Sequence, residues 1–140
     1  MGILTPGQVE AARTVRARLL GGDVAPPVPS EHEPANAQDL CEILSRPFSD
    51  SWARDGLELR SKSIATMSML IALGAKDELQ KHFIAALRLG IEPEEVVELL
   101  IHSAGYCGVA RAHAAYVEFA EVLAGRAHEF RPDDRPEEAT

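Results

Sequence analysis

The sequence predicts an all-α protein, and three observations carry that expectation. Hydrophobic residues make up 46% of the 140-residue chain but aromatics only 5%, so the core must be built from Ala, Leu, Val and Ile, a composition suited to close helix packing. Six of nine prolines precede Gly56 and two lie in the last ten residues, leaving Pro93 alone to interrupt the stretch from Gly56 to Gly125. Within that stretch apolar residues recur at helical spacing between glycines at 74, 90, 105, 108 and 125.

Thr5-Pro6-Gly7-Gln8 offers an N-cap, a proline at the first helical position and a glutamine at the capping-box position, and Gly21-Gly22 ends the element, so residues 6–20 are the first helix. Asp23 to Pro34 reads as a polar, proline-rich surface connector. Asn36 can cap a short helix through Ser45, with a further turn around Trp52. From Leu57 three or four helices follow. In the one after Gly74, Leu79, Phe83, Ala86 and Leu87 share a face, and Gly90 stops it. Pro93 opens the next, with Glu94 and Glu95 in a first turn where the helix dipole favours acids. Val96, Val97, Leu99, Leu100 and Ile101 make this helix apolar over most of its circumference, as expected of a central helix or of one that also meets another subunit. A break at Gly105/Gly108 and a last helix over residues 110–123 complete a single domain of residues 1–130. Residues 131–140, charged and proline-bearing, read as a disordered tail.

Fourteen basic against 22 acidic residues give a formal charge of −8, with no basic run to track phosphates, so neither nucleic acid nor an anionic membrane is an expected partner. The longest nearly apolar run, Ile64 to Leu73, is half the roughly 20 residues a membrane-spanning helix needs. Cys41 and Cys107 form no CxxC, and no Cys/His cluster has zinc spacing, so no metal site is expected. With no basic, apolar leader at the N-terminus, the expectation is a cytoplasmic protein.

Few residues have the company that chemistry needs. Glu78 and His82, four apart, share a helix face, where a carboxylate can orient an imidazole and raise its basicity; the same spacing also makes an ordinary surface ion pair. Leu79 and Phe83 beside His82 place the ring at the edge of the core. Glu94, Glu98 and His102 form a second row, a solvated stripe by default, with Tyr106 one turn further and Cys107 as a small apolar residue. Arg60, one turn before an apolar section, puts a planar guanidinium at the rim of the core, where it is either an ordinary rim arginine or a carboxylate binder. His32, His113 and His128 read as structural or exposed.

Several spaced motifs occur in order: W-x-R-x-G-L at Trp52, Arg54, Gly56 and Leu57, R-S-K-S at Arg60, A-L-G at Ala72–Gly74 and E-L-x-x-H at Glu78–His82. A-L-x-x-G at Ala86–Gly90, E-x-x-E at Glu95–Glu98 and Y-C-G at Tyr106–Gly108 follow. With these the chain resembles the carboxymuconolactone decarboxylase family over about half its length. The resemblance implies an alkylhydroperoxidase D-like helical bundle assembling as a homo-oligomer, a trimer or hexamer, which would cover the apolar excess of Val96–Ile101. In the related alkylhydroperoxidase D motif, C-x-x-C-x-x-x-H, the cysteine positions fall on Ala75 and Glu78 here, so no dithiol peroxidase chemistry is expected. The family's usual proline after Y-C-G is replaced at Ala110. The activity implied is cofactor-free decarboxylation of a small unsaturated lactone such as 4-carboxymuconolactone. His82 is then the proton carrier, Glu78 its orienting carboxylate, Arg60 the binder of a substrate carboxylate, and His102 or Tyr106 a donor to the developing enolate. Eleven arginines against three lysines, with abundant alanine, fit a GC-rich genome, which keeps an isomerase, cyclase or tailoring role in a natural-product pathway open, as well as a non-catalytic oligomer.

Overall fold

A computed structural model describes residues 5–22 and 27–126. Among them are six α-helices and no strand: α1 (Pro6–Leu20), α2 (Ala37–Pro47), α3 (Leu59–Leu73), α4 (Lys76–Arg88), α5 (Pro93–Cys107) and α6 (Val109–Arg126), with one π-helical turn, Phe48–Trp52, following α2. The expected disordered tail and His128 lie outside the described residues.

The cap signals of α1 and α5 act as read. The Gln8 N–H donates to Thr5 Oγ1 (3.3 Å) and the Gln8 side chain accepts from the Thr5 N–H (2.9 Å). At the other end of α1, Gly21 takes the left-handed conformation (φ 79°), and a Cβ there would stand 2.6 Å from Arg88 Nε. The Arg88 guanidinium fills that space and donates to the Leu19 carbonyl, tying α1 to α4. Glu92 and Glu95 form a second capping box before α5, around Pro93 at the first helical position.

Three boundaries differ from the sequence reading. Asn36 makes no side-chain cap bond, and α2 runs past Ser45 to Pro47. Pro47 has no N–H to donate, and the turn after it widens, with the Ala53 N–H reaching the Phe48 carbonyl five residues back (3.0 Å). Gly105 does not break α5, since an exposed glycine inside a helix costs only about 1 kcal/mol; the chain turns at Gly108 (φ 89°). Likewise α6 continues beyond residue 123 through Gly125.

The main core joins Met67 and Ile71 of α3, Leu79, Phe83 and Ala86 of α4, Val96 and Leu100 of α5, and Ala115, Phe119 and Val122 of α6. Phe83 and Phe119, both essentially inaccessible, meet with ring centroids 5.0 Å apart at 56°, the tilted geometry aromatic pairs favour. A second cluster packs on the other side of α4, where Ala85 meets Val15 and Leu19 of α1 and Trp52. On a further edge of α4, Gln80 Nε2 donates to Glu118 (2.6 Å) and Glu121 (2.9 Å) of α6.

Apolar side chains stay uncovered on α5 and α2, among other places. On α5, Val96 and Leu100 are buried while Val97 and Ile101 are 39% and 61% exposed, so the apolar excess points outward. On α2 no residue is buried, and Leu40, Ile43 and Leu44, at i, i+3, i+4 spacing, are each more than half exposed. Phe83→Ala is expected to destabilise the protein by about 3–5 kcal/mol through the lost burial and the cavity left between α4 and α6, as measured by denaturant unfolding.

Candidate active site

The π-helical turn delivers Trp52 into the fold with 8% of its surface exposed, its ring stacked on the imidazole of His82 of α4. The centroids are 5.9 Å apart and the planes 12° from parallel. Lys62 of α3 fixes the end of that turn, donating from Nζ to the carbonyls of Ser51 (3.0 Å), Trp52 (3.1 Å) and Arg54. A cation among the last carbonyls of a helical segment is electrostatically favoured there.

His82 sits at the edge of the core, partly buried. Its Nδ1 is buried with no hydrogen-bond partner, and Nε2 makes no hydrogen bond either. Burial pushes the ring below the ordinary histidine value; the negative charge of Glu78 works against this and the positive charge of Lys81 with it. The imidazole is therefore mostly neutral at neutral pH and, once protonated, a stronger acid than a free histidine.

Glu78 does not hold the ring as its spacing led us to expect. Its exposed carboxylate accepts from Lys81 Nζ (2.7 Å) and makes no hydrogen bond to His82, so it reaches the imidazole through charge alone. Of the two neighbours that helical spacing offers Glu78, the lysine three residues on takes the carboxylate and the histidine four residues on does not.

Arg60 of α3 hydrogen-bonds Glu95 of α5, both about half exposed. The Glu95 carboxyl is held below the usual carboxylate range, first by the Glu92 backbone N–H and then by Arg60. Arg60 stands between two hollows. With Trp52, Arg54 and Leu57 it lines a cleft of about 730 Å³ between α1 and residues 52–60. Its partner Glu95 lines a cavity of about 330 Å³ between α3 and α5, with Met67, Leu99 and His102. His102 and Tyr106 are exposed and contact each other, centroids 5.1 Å apart. The structure thus groups His82 with Trp52, and His102 with Tyr106, and leaves Arg60 between the two groups. Among the described residues no three His, Cys, Asp or Glu are placed to hold a metal ion, and no helix is long and apolar enough to cross a membrane.

Trp52, Lys62 and Glu95 are the members of this arrangement that the sequence reading assigned no role. One signal for Trp52 was available: it is the chain's single tryptophan, in a sequence poor in aromatics.

The helical fold thus carries a partly buried imidazole at the edge of its core, and Trp52, stacked on that ring, lines a cleft together with Arg54 and Arg60. The chain belongs to the carboxymuconolactone decarboxylase family, whose sequence profile matches residues 44–121. Over 87 residues it is 35% identical to the 4-carboxymuconolactone decarboxylase of Acinetobacter baylyi, covering 61% of this chain and 65% of that one. Over 57 residues it is 35% identical to the nitrosuccinic acid decarboxylase of Metarhizium robertsii, covering 41% of this chain and 40% of that one. The match thus spans less than two thirds of either relative. Trp52, Arg60, Glu78, His82, His102 and Tyr106 all lie inside the family match, and α1 lies outside it.

The direction of the His82 shift fixes a stability effect. An unfolded histidine titrates near 6.5 and the folded one lower, so between the two values the unfolded chain holds a proton that the folded chain does not. Stability is therefore full above the unfolded value and is lost as pH falls through the folded one. Denaturant midpoints compared at about pH 5 and about pH 7.5 should show this loss in the wild type and lack the His82 component in His82→Gln.

Proposed function

We propose that the protein is a cofactor-free decarboxylase of an unsaturated lactone such as 4-carboxymuconolactone, with His82 as its proton carrier. The observation that carries this reading is a partly buried imidazole at the edge of the core, its Nδ1 buried and unpartnered, in a chain whose relatives are named decarboxylases. When the substrate's carboxylate leaves as CO₂, the electron pair of the broken bond passes through the double bond to the lactone carbonyl. The substrate is its own electron sink, and no cofactor is needed for that step. The enolate so formed must then take one proton at carbon, and an imidazolium of lowered pKa is a competent donor. Arg60 supplies the cation for a substrate carboxylate, in competition with Glu95. His102 and Tyr106 are the candidate donors to the enolate oxygen.

The match to a nitrosuccinic acid decarboxylase favours a second reading, in which the acid lost is activated by a nitro group rather than a lactone carbonyl. The demands on His82 and Arg60 are the same. Purified protein assayed on both acids separates the two, and turnover of neither removes both.

On the true substrate, His82→Ala should lower kcat by ~10²-fold or more, Glu78→Gln less, because it removes only the charge acting on the imidazole. Arg60→Lys should mainly raise KM, and Glu95→Gln, which leaves Arg60 without its competing carboxylate, should lower it. Steady-state kinetics of the four variants checks each expectation; turnover of His82→Ala within a few-fold of wild type would move the assignment to His102 and Tyr106.

We also propose a homo-oligomer of three or six copies. Its support is the outward apolar faces, Val97 and Ile101 on α5 and Leu40, Ile43 and Leu44 on α2, which a neighbouring copy would cover. Light scattering at micromolar concentration should report the assembly, and replacing the three α2 residues by serine should weaken it.

A further inference from the structure

The proton-carrier reading of His82 leaves open what holds the ring. Glu78, the residue spaced to do so, is bonded to Lys81, and neither imidazole nitrogen has a hydrogen-bond partner. What remains is the indole of Trp52, nearly parallel to the imidazole at 5.9 Å, within the range of offset ring stacking. The indole is itself immobilised on two sides. It belongs to an apolar cluster with the buried Val15, Leu19 and Ala85. Its backbone is clamped by Lys62, which reaches three carbonyls of the 51–54 segment.

We propose that Trp52 is the positioning residue of His82: its indole fixes the plane of the imidazole, shields one ring face from water, and so orients the ring toward the ligand. Lys62 acts one step further back, by locking the turn that carries Trp52. The assignment rests on His82 being the proton carrier. It differs from a merely structural role in that the plane and hydration of another residue's ring depend on it. Trp52 also lines the cleft between α1 and residues 52–60, whose lining does not include His82, so the indole links the imidazole to that cleft. The charged groups acting on His82, Glu78 and Lys81, are both on its own helix; the neighbour contributed by the π-helical turn is uncharged. Burial is the largest influence on the imidazole, and the stacked indole covers one face of the ring, so opening the Trp52 side should reduce it.

The test is a pH titration of the histidine ring resonances in the full chain, with the His82 signal assigned by its loss in His82→Gln. In wild type the His82 midpoint should lie below 6.5. Trp52→Phe, which keeps an aromatic face, should hold that midpoint, whereas Trp52→Leu should move it upward by about half a pH unit or more. Lys62→Met, which leaves the core intact, should move it the same way by less, and decides the matter if Trp52→Leu does not fold. Because Trp52 is the only tryptophan, its emission gives an independent readout: it should change as His82 protonates in wild type and not in His82→Gln. With 4-carboxymuconolactone as substrate, Trp52→Leu should lose about tenfold in kcat with KM nearly unchanged, and Trp52→Phe should restore most of it. A folded Trp52→Leu that titrates as wild type does, or a tryptophan emission indifferent to His82, overturns the proposal. A wild-type protein that does not turn over the lactone counts against the substrate reading instead, and leaves the two titrations to decide the role of Trp52.

Discussion

Everything in this fold depends on α4 being buried on two sides at once. Phe83 and Ala86 face the main core with α3, α5 and α6, while Ala85 faces α1 and Trp52. The remaining side of this thirteen-residue helix carries its polar residues, and the two adjacent alanines let its neighbours approach closely. His82, preceding Phe83, falls on the boundary between a buried and a free face. Its partial desolvation follows from where the core ends, with no special pocket required.

The same economy governs charge around the site. Lys62 is occupied by backbone carbonyls, Lys81 by Glu78, and Arg60 by Glu95. Each ion is held by a partner, and the opposed charges of Glu78 and Lys81 leave burial as the largest influence on the imidazole. Arg60 borders one hollow itself and the other through its partner, and a ligand carboxylate arriving there meets an occupied guanidinium.

Much of the architecture could be read directly from residues with strong local preferences. Thr5 and Gln8, Pro93 with Glu95, and the glycines at 21, 74 and 90 place helix ends through interactions within four residues of the chain. His82 and Arg60 were identifiable as candidates because their neighbours are apolar. The features that escaped were set by contacts distant in sequence. Trp52 meets His82 across 30 residues and Arg60 meets Glu95 across 35, and no local pattern announces either. The i, i+4 rule put Glu78 beside His82, yet Lys81 at i+3 competes for the same carboxylate and takes it. Gly105 failed as a stop signal for the opposite reason: tertiary burial of Val96, Leu100 and Ser103 carries α5 past a residue of poor propensity.

The widened turn at Phe48–Trp52 bears on how this chain tolerates changes in length. A helical turn that closes over five residues rather than four contains, in effect, one residue more than an α-helix of the same rise. One residue more or fewer between Pro47 and Trp52 than the turn can absorb by switching between the wide and the ordinary form would rotate the chain beyond it by about 100°. Trp52 would then swing off the imidazole, and Lys62 would lose the carbonyls it gathers. Insertions and deletions are usually harmless between helices, but here the spacing between Pro47 and Trp52 is as much a part of the site as any side chain, a constraint on gaps rather than on residue identity.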